Sequence, residues 1–227
     1  MMVFGCQPAT PPPPYPPSGY IKNIHFDWSS HKRLAPGSDN WPVTWADDGH
    51  QYTSWGDGGG FGGTNVDGRV SLGVARIEGD PESYKGINVW GGKNTDSKDL
   101  VDGKSYGIIS IDGILYQWVS PGSGEEGYQE SRLYYSDNRG TSWLPVSWAF
   151  MRADNIVNPT FCQFGKDYAD APDGYVYIYA NHVTDDTKLD VQKPGEITLM
   201  RVPAESLLDR ERYEFFAGPG ADNQPSW

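Results

Sequence analysis

The sequence predicts an all-β protein and, within that class, a β-propeller. The first observation is composition: the 227 residues include 28 glycines, 18 prolines, 9 tryptophans and 14 tyrosines. Such a chain is rich in turns and in residues that favour strands, and it shows few long helical patterns. The second observation is a motif, Asp-Gly-x-x-Tyr, that occurs at 48–52, 112–116 and 173–177. A hairpin that recurs at a steady interval of about 60 residues indicates propeller blades, although this interval is longer than in the common propeller repeats.

Each copy of the motif is bordered by alternating aromatic or aliphatic residues, as at 108–111 and 176–179. Chance recurrence is the alternative, because Asp-Gly turns are frequent in any β protein. The segment from Trp41 to Trp227 has room for about three such repeats, whereas propellers close with about four to eight blades. We therefore expect residues 20–227 to form an incomplete propeller of three to four blades, truncated at its C-terminus.

A second propeller marker lies at 136–143, where the sequence reads Ser-Asp-Asn-Arg-Gly-Thr-Ser-Trp. It is similar to the Asp-box of sialidase-like propellers, Ser-x-Asp-x-Gly-x-Thr-Trp, with Asn138 at the Asp position and Ser142 at the Thr position. The Asp-box is a structural hairpin whose tryptophan packs between strands. The similarity therefore supports the fold and carries no catalytic implication.

Net charge and cysteine content exclude several classes of function. The formal charge of −12 argues against a nucleic acid partner, because phosphate backbones attract basic surfaces. Two cysteines, Cys6 and Cys162, provide neither a disulfide framework nor a thiolate metal site. The four histidines lack metalloprotease spacing. We expect no cofactor, no metal in the site and a monomer; a structural calcium ion elsewhere stays open.

Residues 1–19 are predicted to be a leader remnant and a spacer. Val3-Phe4-Gly5-Cys6 resembles the end of a bacterial lipoprotein signal, although no basic region and no adequate apolar region precede it. Two interpretations stay open: the assigned start of the protein lies too far downstream, or Cys6 is not a lipidation site. Pro8 to Pro17 would form an extended spacer. We expect an extracellular or cell-envelope protein that contacts a membrane only through a lipid on Cys6.

The stretch from Ser38 to Gly63 concentrates aspartates, tryptophans and glycines. Residues 41–45 and 51–55 are predicted to be two strands joined by a turn at Asp48-Gly49. An antiparallel pairing brings Asp39, before the first strand, and Asp57, after the second, to the same end of the hairpin. Any one of these acids is also explained as a turn residue, and Asp47 and Asp48 fit that alternative best.

Four segments together resemble one family: SDNWPVTWADDGHQYTSWGDG, KSYGIISIDGILYQW, FCQFGKDYADAPDGYVYIY and ITLMRVPAESLLDRERYEFFAG. They resemble the propeller family catalogued as domain of unknown function 4185, some of whose members are endo-D-arabinanases that act on bacterial cell-wall arabinan. The resemblance covers roughly residues 37–227. It implies a five-bladed ring at full length and catalytic acids in the first-blade motif, at the positions of Asp39 and Asp57.

Glycosidic cleavage needs one carboxylic acid to protonate the leaving oxygen and a second carboxylate as base or nucleophile. We expect Asp39 and Asp57 to be these two catalytic groups. The candidate substrate-binding residues are Asn40, Trp41, Asp48, Trp55, Gln163 and Asp167. Trp41 and Trp55 would stack on sugars or pack between sheets, and Gln163 and Asp167 would contact substrate or lie in a solvated loop.

Three functional hypotheses follow from these residues. The first is a glycoside hydrolase that cleaves a furanose polysaccharide such as D-arabinan. The second is a surface propeller that binds carbohydrate without hydrolysis, and the third is an inactive fragment.

Overall fold

The computed structural model describes residues 16–93, 101–122, 129–182, 196–220 and 223–227. Cys6 and most of the predicted proline-rich spacer lie outside these residues. The chain divides into two units, Met1–Arg33 and Leu34–Trp227. The described part of the first unit contains one short 3-10 turn, Trp28–Ser30, and no strand. Among the described residues, no helix is long and apolar enough to cross a membrane.

The second unit is built from three antiparallel sheets, which we call blades 1 to 3. Blade 1 contains β1 (Val43–Trp45), β2 (Gln51–Gly56), β3 (Leu72–Glu78) and β4 (Lys85–Trp90). Blade 2 contains β5 (Gly103–Ile111), β6 (Ile114–Pro121), β7 (Glu130–Ser136), β8 (Leu144–Pro145) and β9 (Phe150–Met151). Blade 3 contains β10 (Ile156–Phe161), β11 (Tyr175–His182), β12 (Ile197–Pro203) and β13 (Glu214–Phe215). A separate ribbon pairs β14 (Gly218–Pro219) with β15 (Pro225–Ser226).

The strands of each blade follow one another across the sheet in chain order, which is the meander of a propeller blade. The one departure is β9, which pairs with β7 beside β8. Short 3-10 turns occur at Arg152–Asp154, Lys166–Tyr168, Ala204–Ser206 and Arg210–Arg212. The predicted all-β propeller with three to four blades is thus confirmed. The five-bladed ring at full length stays a prediction.

The Asp-Gly-x-x-Tyr motif lies between the first and second strands of each blade. In blade 1, Asp48 accepts a hydrogen bond from the backbone N–H of His50 (3.0 Å) and another from the hydroxyl of Tyr52 (2.9 Å). In blade 3, Asp173 accepts in the same way from the Tyr175 N–H (3.0 Å) and the Tyr177 hydroxyl (2.8 Å). In blades 1 and 3, the repeat therefore marks a turn whose aspartate accepts a hydrogen bond from the tyrosine of the same motif.

The Asp-box-like segment also forms the predicted hairpin. The Asn138 side chain accepts from the Ser142 N–H (3.0 Å) and donates to the Ser142 hydroxyl (2.7 Å). The indole N–H of Trp143 donates to the Gly140 carbonyl (3.1 Å), and its ring packs against Trp90 of blade 1. An amide at the Asp position thus accepts the same turn hydrogen bond as a carboxylate and supplies a donor as well.

The core lies between the blades, because each sheet buries its faces against its neighbours. Tyr52 and Val74 of blade 1 pack in one cluster with Leu115 and Val119 of blade 2. A second cluster joins blade 2 to blade 3 and includes Trp118. Side chains of β6 alternate between these clusters, so both faces of the strand are buried and its sequence is almost continuously apolar.

Candidate active site at the start of the first strands

The first strands of the three blades lie side by side and run in the same direction. Near the start of β5, the Ser105 carbonyl accepts a hydrogen bond from the Asn40 side chain (2.8 Å), and near its end the Ser110 N–H donates to Thr44 (3.0 Å). A Cβ on Gly107 would lie 2.9 Å from the Cα of Thr160 in β10. Side chains at the start of β1, β5 and β10 therefore meet at one end of the blades.

Asp39 lies at this end and extends the β1–β2 pairing by one isolated bridge. Its N–H donates to the Gly56 carbonyl (2.9 Å), and the Gly56 N–H donates back to the Asp39 carbonyl (2.8 Å). This bridge places Asp39 beside Asp57, the residue that follows Gly56. The two aspartates thus lie at the same end of the hairpin, as the antiparallel pairing predicts, and Asp39 is exposed.

Asp57 occupies a left-handed backbone conformation, with φ of 53°. Its Oδ1 lies 2.7 Å from Lys104 Nζ and 2.8 Å from an Arg69 guanidinium nitrogen. Lys104 also donates to the Ser71 carbonyl (3.0 Å). The Asp57 side chain keeps 33% of its surface exposed, so its carboxylate is both anchored and accessible.

Gly56 lets these charged groups approach one another. A Cβ at this position would lie 3.0 Å from Lys104 Cδ, 3.1 Å from Asp39 Oδ1 and 3.5 Å from Lys104 Nζ. The aliphatic part of the Lys104 side chain therefore occupies the space that a side chain at position 56 would fill. As a result, the Asp39 carboxylate and the ion pair between Asp57 and Lys104 both lie beside Gly56, on the side of blade 1 that faces blade 2.

Three residues at this end were not predicted from the sequence. Lys104 and Arg69 supply the cations beside Asp57. Asn158, near the start of β10, has φ of 53°, and its buried Oδ1 accepts no hydrogen bond from the described residues. A sequence signal did exist for Lys104, since it is the one charged residue in β5.

Two predicted substrate-binding residues, Asp48 and Asp167, lie at the opposite end of the first strands, and a third, Gln163, lies partway along them. Asp48 belongs to the turn after β1, and Asp167 accepts from the Ser110 hydroxyl (2.7 Å) and the Gly113 N–H at the end of β5. At about 3.3 Å per residue, this end is about 20 Å from the aspartate pair. The side chain of Gln163 lies between, accepting from Thr44 (3.0 Å) and donating to the Ile108 carbonyl (2.7 Å). The structure therefore does not join these residues to Asp39 and Asp57.

The remaining predicted residues are structural or face another groove. The Asn40 amide joins blade 1 to blade 2 through Ser105. The prediction that Trp55 binds sugar is wrong, because its side chain is fully buried and offers no face for stacking. Trp41 stacks on Trp55, with ring centroids 5.4 Å apart. It also lines a groove of 610 Å³ together with Val43, Trp45, Phe61 and Tyr84.

This groove lies on the face of blade 1 that does not contact blade 2. Side chains alternate along a strand, so Gln51 and Thr53 point away from the face on which Tyr52 packs against blade 2. Trp45 in the groove is 48% exposed. Trp41 is therefore separated from the aspartate pair by the thickness of the sheet.

No group of three or more histidine, cysteine, aspartate or glutamate side chains within the described ranges could hold a metal ion. The charged groups around Gly56 consist of two aspartates, one lysine and one arginine. The positive charges beside Asp57 come from the side chains of Lys104 and Arg69, which pair with it directly. What this arrangement offers chemically is a pair of accessible carboxylates, one of them held in place.

Comparison with family models found no match, and no curated protein matched. Among solved structures, a putative hydrolase from Bacteroides ovatus is similar over 87% of this chain, with 11% identity and a TM-score of 0.47. A GH43_12 protein retrieved from a capybara gut metagenome is similar over 86% of this chain, with 12% identity and a TM-score of 0.46. The chain spans 55% of the first structure and 34% of the second.

Proposed function

We propose that this protein is a glycoside hydrolase that cleaves a furanose polysaccharide such as bacterial cell-wall D-arabinan, with Asp39 and Asp57 as its two carboxyl groups. The observation that carries the proposal is the placement of both aspartates at Gly56, where Asp39 pairs with the glycine backbone and the adjacent Asp57 is held by Lys104. Both carboxylates retain exposed surface, so a polymer can reach them from solvent.

The contacts of the two carboxylates favour different parts in the reaction. Asp57 has two cations on one oxygen, an arrangement suited to the base or nucleophile, which acts as an anion. Asp39 makes no ion pair of 4.0 Å or less among the described residues, and it is the more exposed of the two. We therefore assign Asp39 as the proton donor to the leaving oxygen.

The overall charge supports a neutral polysaccharide as the substrate. A chain with a net charge of −12 repels polyanions at low ionic strength, whereas an arabinan carries no charge of its own. The family resemblance of the first-blade motif points to the same class of polymer. We propose that the protein meets this polymer at the cell envelope.

The test is the release of reducing ends from D-arabinan by the wild-type protein and by Asp39→Asn and Asp57→Asn. Each substitution keeps the size of the side chain and removes the carboxylate, so each is expected to lower the rate by about 100- to 10,000-fold. The matched control is Asp67→Asn. Asp67 is an exposed acid in the loop between β2 and β3, where it pairs with Lys93.

The control variant is expected to keep wild-type activity, because its carboxylate is not part of the pair. If either Asp39→Asn or Asp57→Asn also keeps wild-type activity, the assignment of the pair is wrong. A wild-type protein that folds cooperatively and releases no reducing ends overturns the proposed hydrolysis.

A second candidate function is carbohydrate binding without hydrolysis. It is favoured by the groove on blade 1, where Trp41, Trp45 and Tyr84 combine aromatic surface with the polar side chains of Gln51 and Thr53. Affinity electrophoresis in arabinan-containing gels distinguishes the two. Retarded migration that Trp45→Ala abolishes, with no release of reducing ends, would favour binding.

A further inference from the structure

The Lys104 side chain is mostly enclosed by its neighbours. Only 15% of its surface is exposed, compared with 36% for Lys93, which pairs with Asp67. An enclosed ammonium group is costly unless it is paired and hydrogen-bonded. Lys104 meets both requirements, through Asp57 Oδ1 (2.7 Å) and the Ser71 carbonyl (3.0 Å).

The path of the side chain is defined by blade 1. Its stem passes over Gly56, whose missing Cβ would lie 3.0 Å from Lys104 Cδ. Its tip is held by the carbonyl of Ser71, the residue before β3. Lys104 itself belongs to β5 of blade 2, so its side chain links the Asp57 carboxylate to the neighbouring blade.

We infer that Lys104 is the positioning residue of the proposed active site. This inference rests on the proposed function. The ammonium group holds Asp57 through Oδ1, and an Arg69 guanidinium nitrogen lies 2.8 Å from the same oxygen. Asp39 Oδ1 lies close to the same glycine, 3.1 Å from the position of a Cβ on Gly56 that Lys104 Nζ approaches to 3.5 Å. Lys104 thereby orients the Asp57 carboxylate beside Asp39 without pairing with Asp39 itself.

Arg69 provides a comparison within the site, because it pairs with the same Asp57 oxygen but is more exposed to solvent. Its side chain is 44% exposed, about three times the fraction for Lys104. Exposed ion pairs are weakened by solvent and salt and hold their geometry poorly. Removing Arg69 should therefore disturb Asp57 much less than removing Lys104.

The first experiment compares Lys104→Met with Arg69→Met in arabinan hydrolysis. We expect Lys104→Met to lower kcat by about tenfold or more with KM changed by less than about threefold, because a misplaced carboxylate affects the chemical step. Arg69→Met should lower kcat less than Lys104→Met does, because the pair between Arg69 and Asp57 is the more exposed of the two. A Lys104→Met protein that retains wild-type kcat overturns the inference.

The second experiment does not require activity. Treatment with a carbodiimide couples an ion-paired amine and carboxylate into an amide with loss of water, and peptide mass spectrometry identifies the bond. We expect a bond between Lys104 and Asp57 in the wild type, and in Lys104→Met we expect faster labelling of Asp57 by added glycinamide. Labelling of Asp57 at equal rates in both proteins overturns the inference.

The two proposals can fail separately. If the wild-type protein releases no reducing ends but Lys104 couples to Asp57 and protects it, the proposed function is wrong and the positioning of Asp57 stands. If the enzyme is active but Lys104→Met retains both kcat and the slow labelling of Asp57, the positioning inference is wrong and the proposed function stands.

Discussion

The substitution Gly73→Ala tests the packing beneath the first hairpin. Gly73 in β3 stands opposite Trp55 in β2, and a Cβ at position 73 would lie 2.3 Å from Cζ2 of the indole ring. Gly60 and Gly92 are also too close for a side chain, with Cβ positions 2.5 Å and 2.8 Å from the same ring. The ring is fully buried and stacks on Trp41, so it has no free space to enter.

The expected effect of Gly73→Ala follows from this geometry. Carbon atoms in contact are normally separated by about 3.5 to 4.0 Å, so the added methyl group must displace either the strand or the indole. Overpacking of this kind costs about 2–3 kcal/mol of the free energy of unfolding. For a domain of this size, the melting temperature should fall by about 5–10 °C.

Gly174→Ala is the matched control for the same chemical change. Gly174 has no heavy atom within 4 Å of its Cβ position, and its backbone conformation is open to alanine. Alanine there should raise the free energy of unfolding by about 0.4–1 kcal/mol, because it restricts the unfolded chain. Urea unfolding followed by tryptophan fluorescence measures both variants. A Gly73→Ala protein within about 0.5 kcal/mol of the wild type would refute the packing argument.

Two further predictions concern pH. The hydrogen bond from Arg139 lowers the pKa of Asp47 below 3.8, so the inter-blade ion pair contributes stability above that pH and loses it as pH falls through the lower value. Asp47→Asn should cost roughly 0.5 kcal/mol at pH 7, since both partners are partly exposed, and the difference from wild type in urea midpoints should shrink as pH falls below 3.8. A difference that is independent of pH would contradict it. Burial, with the hydrogen bond to Asp48, raises the pKa of Tyr52 from 10.0 to about 12, so stability should fall as pH rises from 10.0 towards 12. Tyr52→Phe should be about 1.5 kcal/mol less stable at pH 7 and should show a shallower loss of melting temperature in alkaline buffers; an unchanged alkaline slope would exclude Tyr52 as the cause.

The fold could be predicted from the sequence because its signals are local. Asp-Gly turns, alternating apolar residues and the Asp-box-like segment each specify a hairpin from a few neighbouring residues. The hairpin from Asp39 to Asp57 is of this kind, and its two aspartates lie together as the pairing requires. The same logic explains why Asp48 belongs to a turn, since its partners His50 and Tyr52 are close to it in the chain.

The candidate site could be predicted only in part because much of it depends on contacts between blades. Trp55 has the sequence context of a sugar-stacking residue, but its burial depends on three glycines that come from separate loops and strands. Gln163 and Asp167 follow β10 as polar residues, and which end of β5 they contact is decided by how blade 3 packs against blade 2. Residue spacing along the chain does not report these distances.

By itself, the sequence determined the all-β class, the blade hairpins and the adjacency of Asp39 and Asp57, because each depends on backbone pairing over short separations. The tertiary structure alone decided that Lys104 lies against Asp57 and that Trp55 is sealed in the core. Lys104 and Asp57 are distant in the chain and belong to different sheets. Only the packing of one sheet face on another could bring such groups within hydrogen-bonding distance.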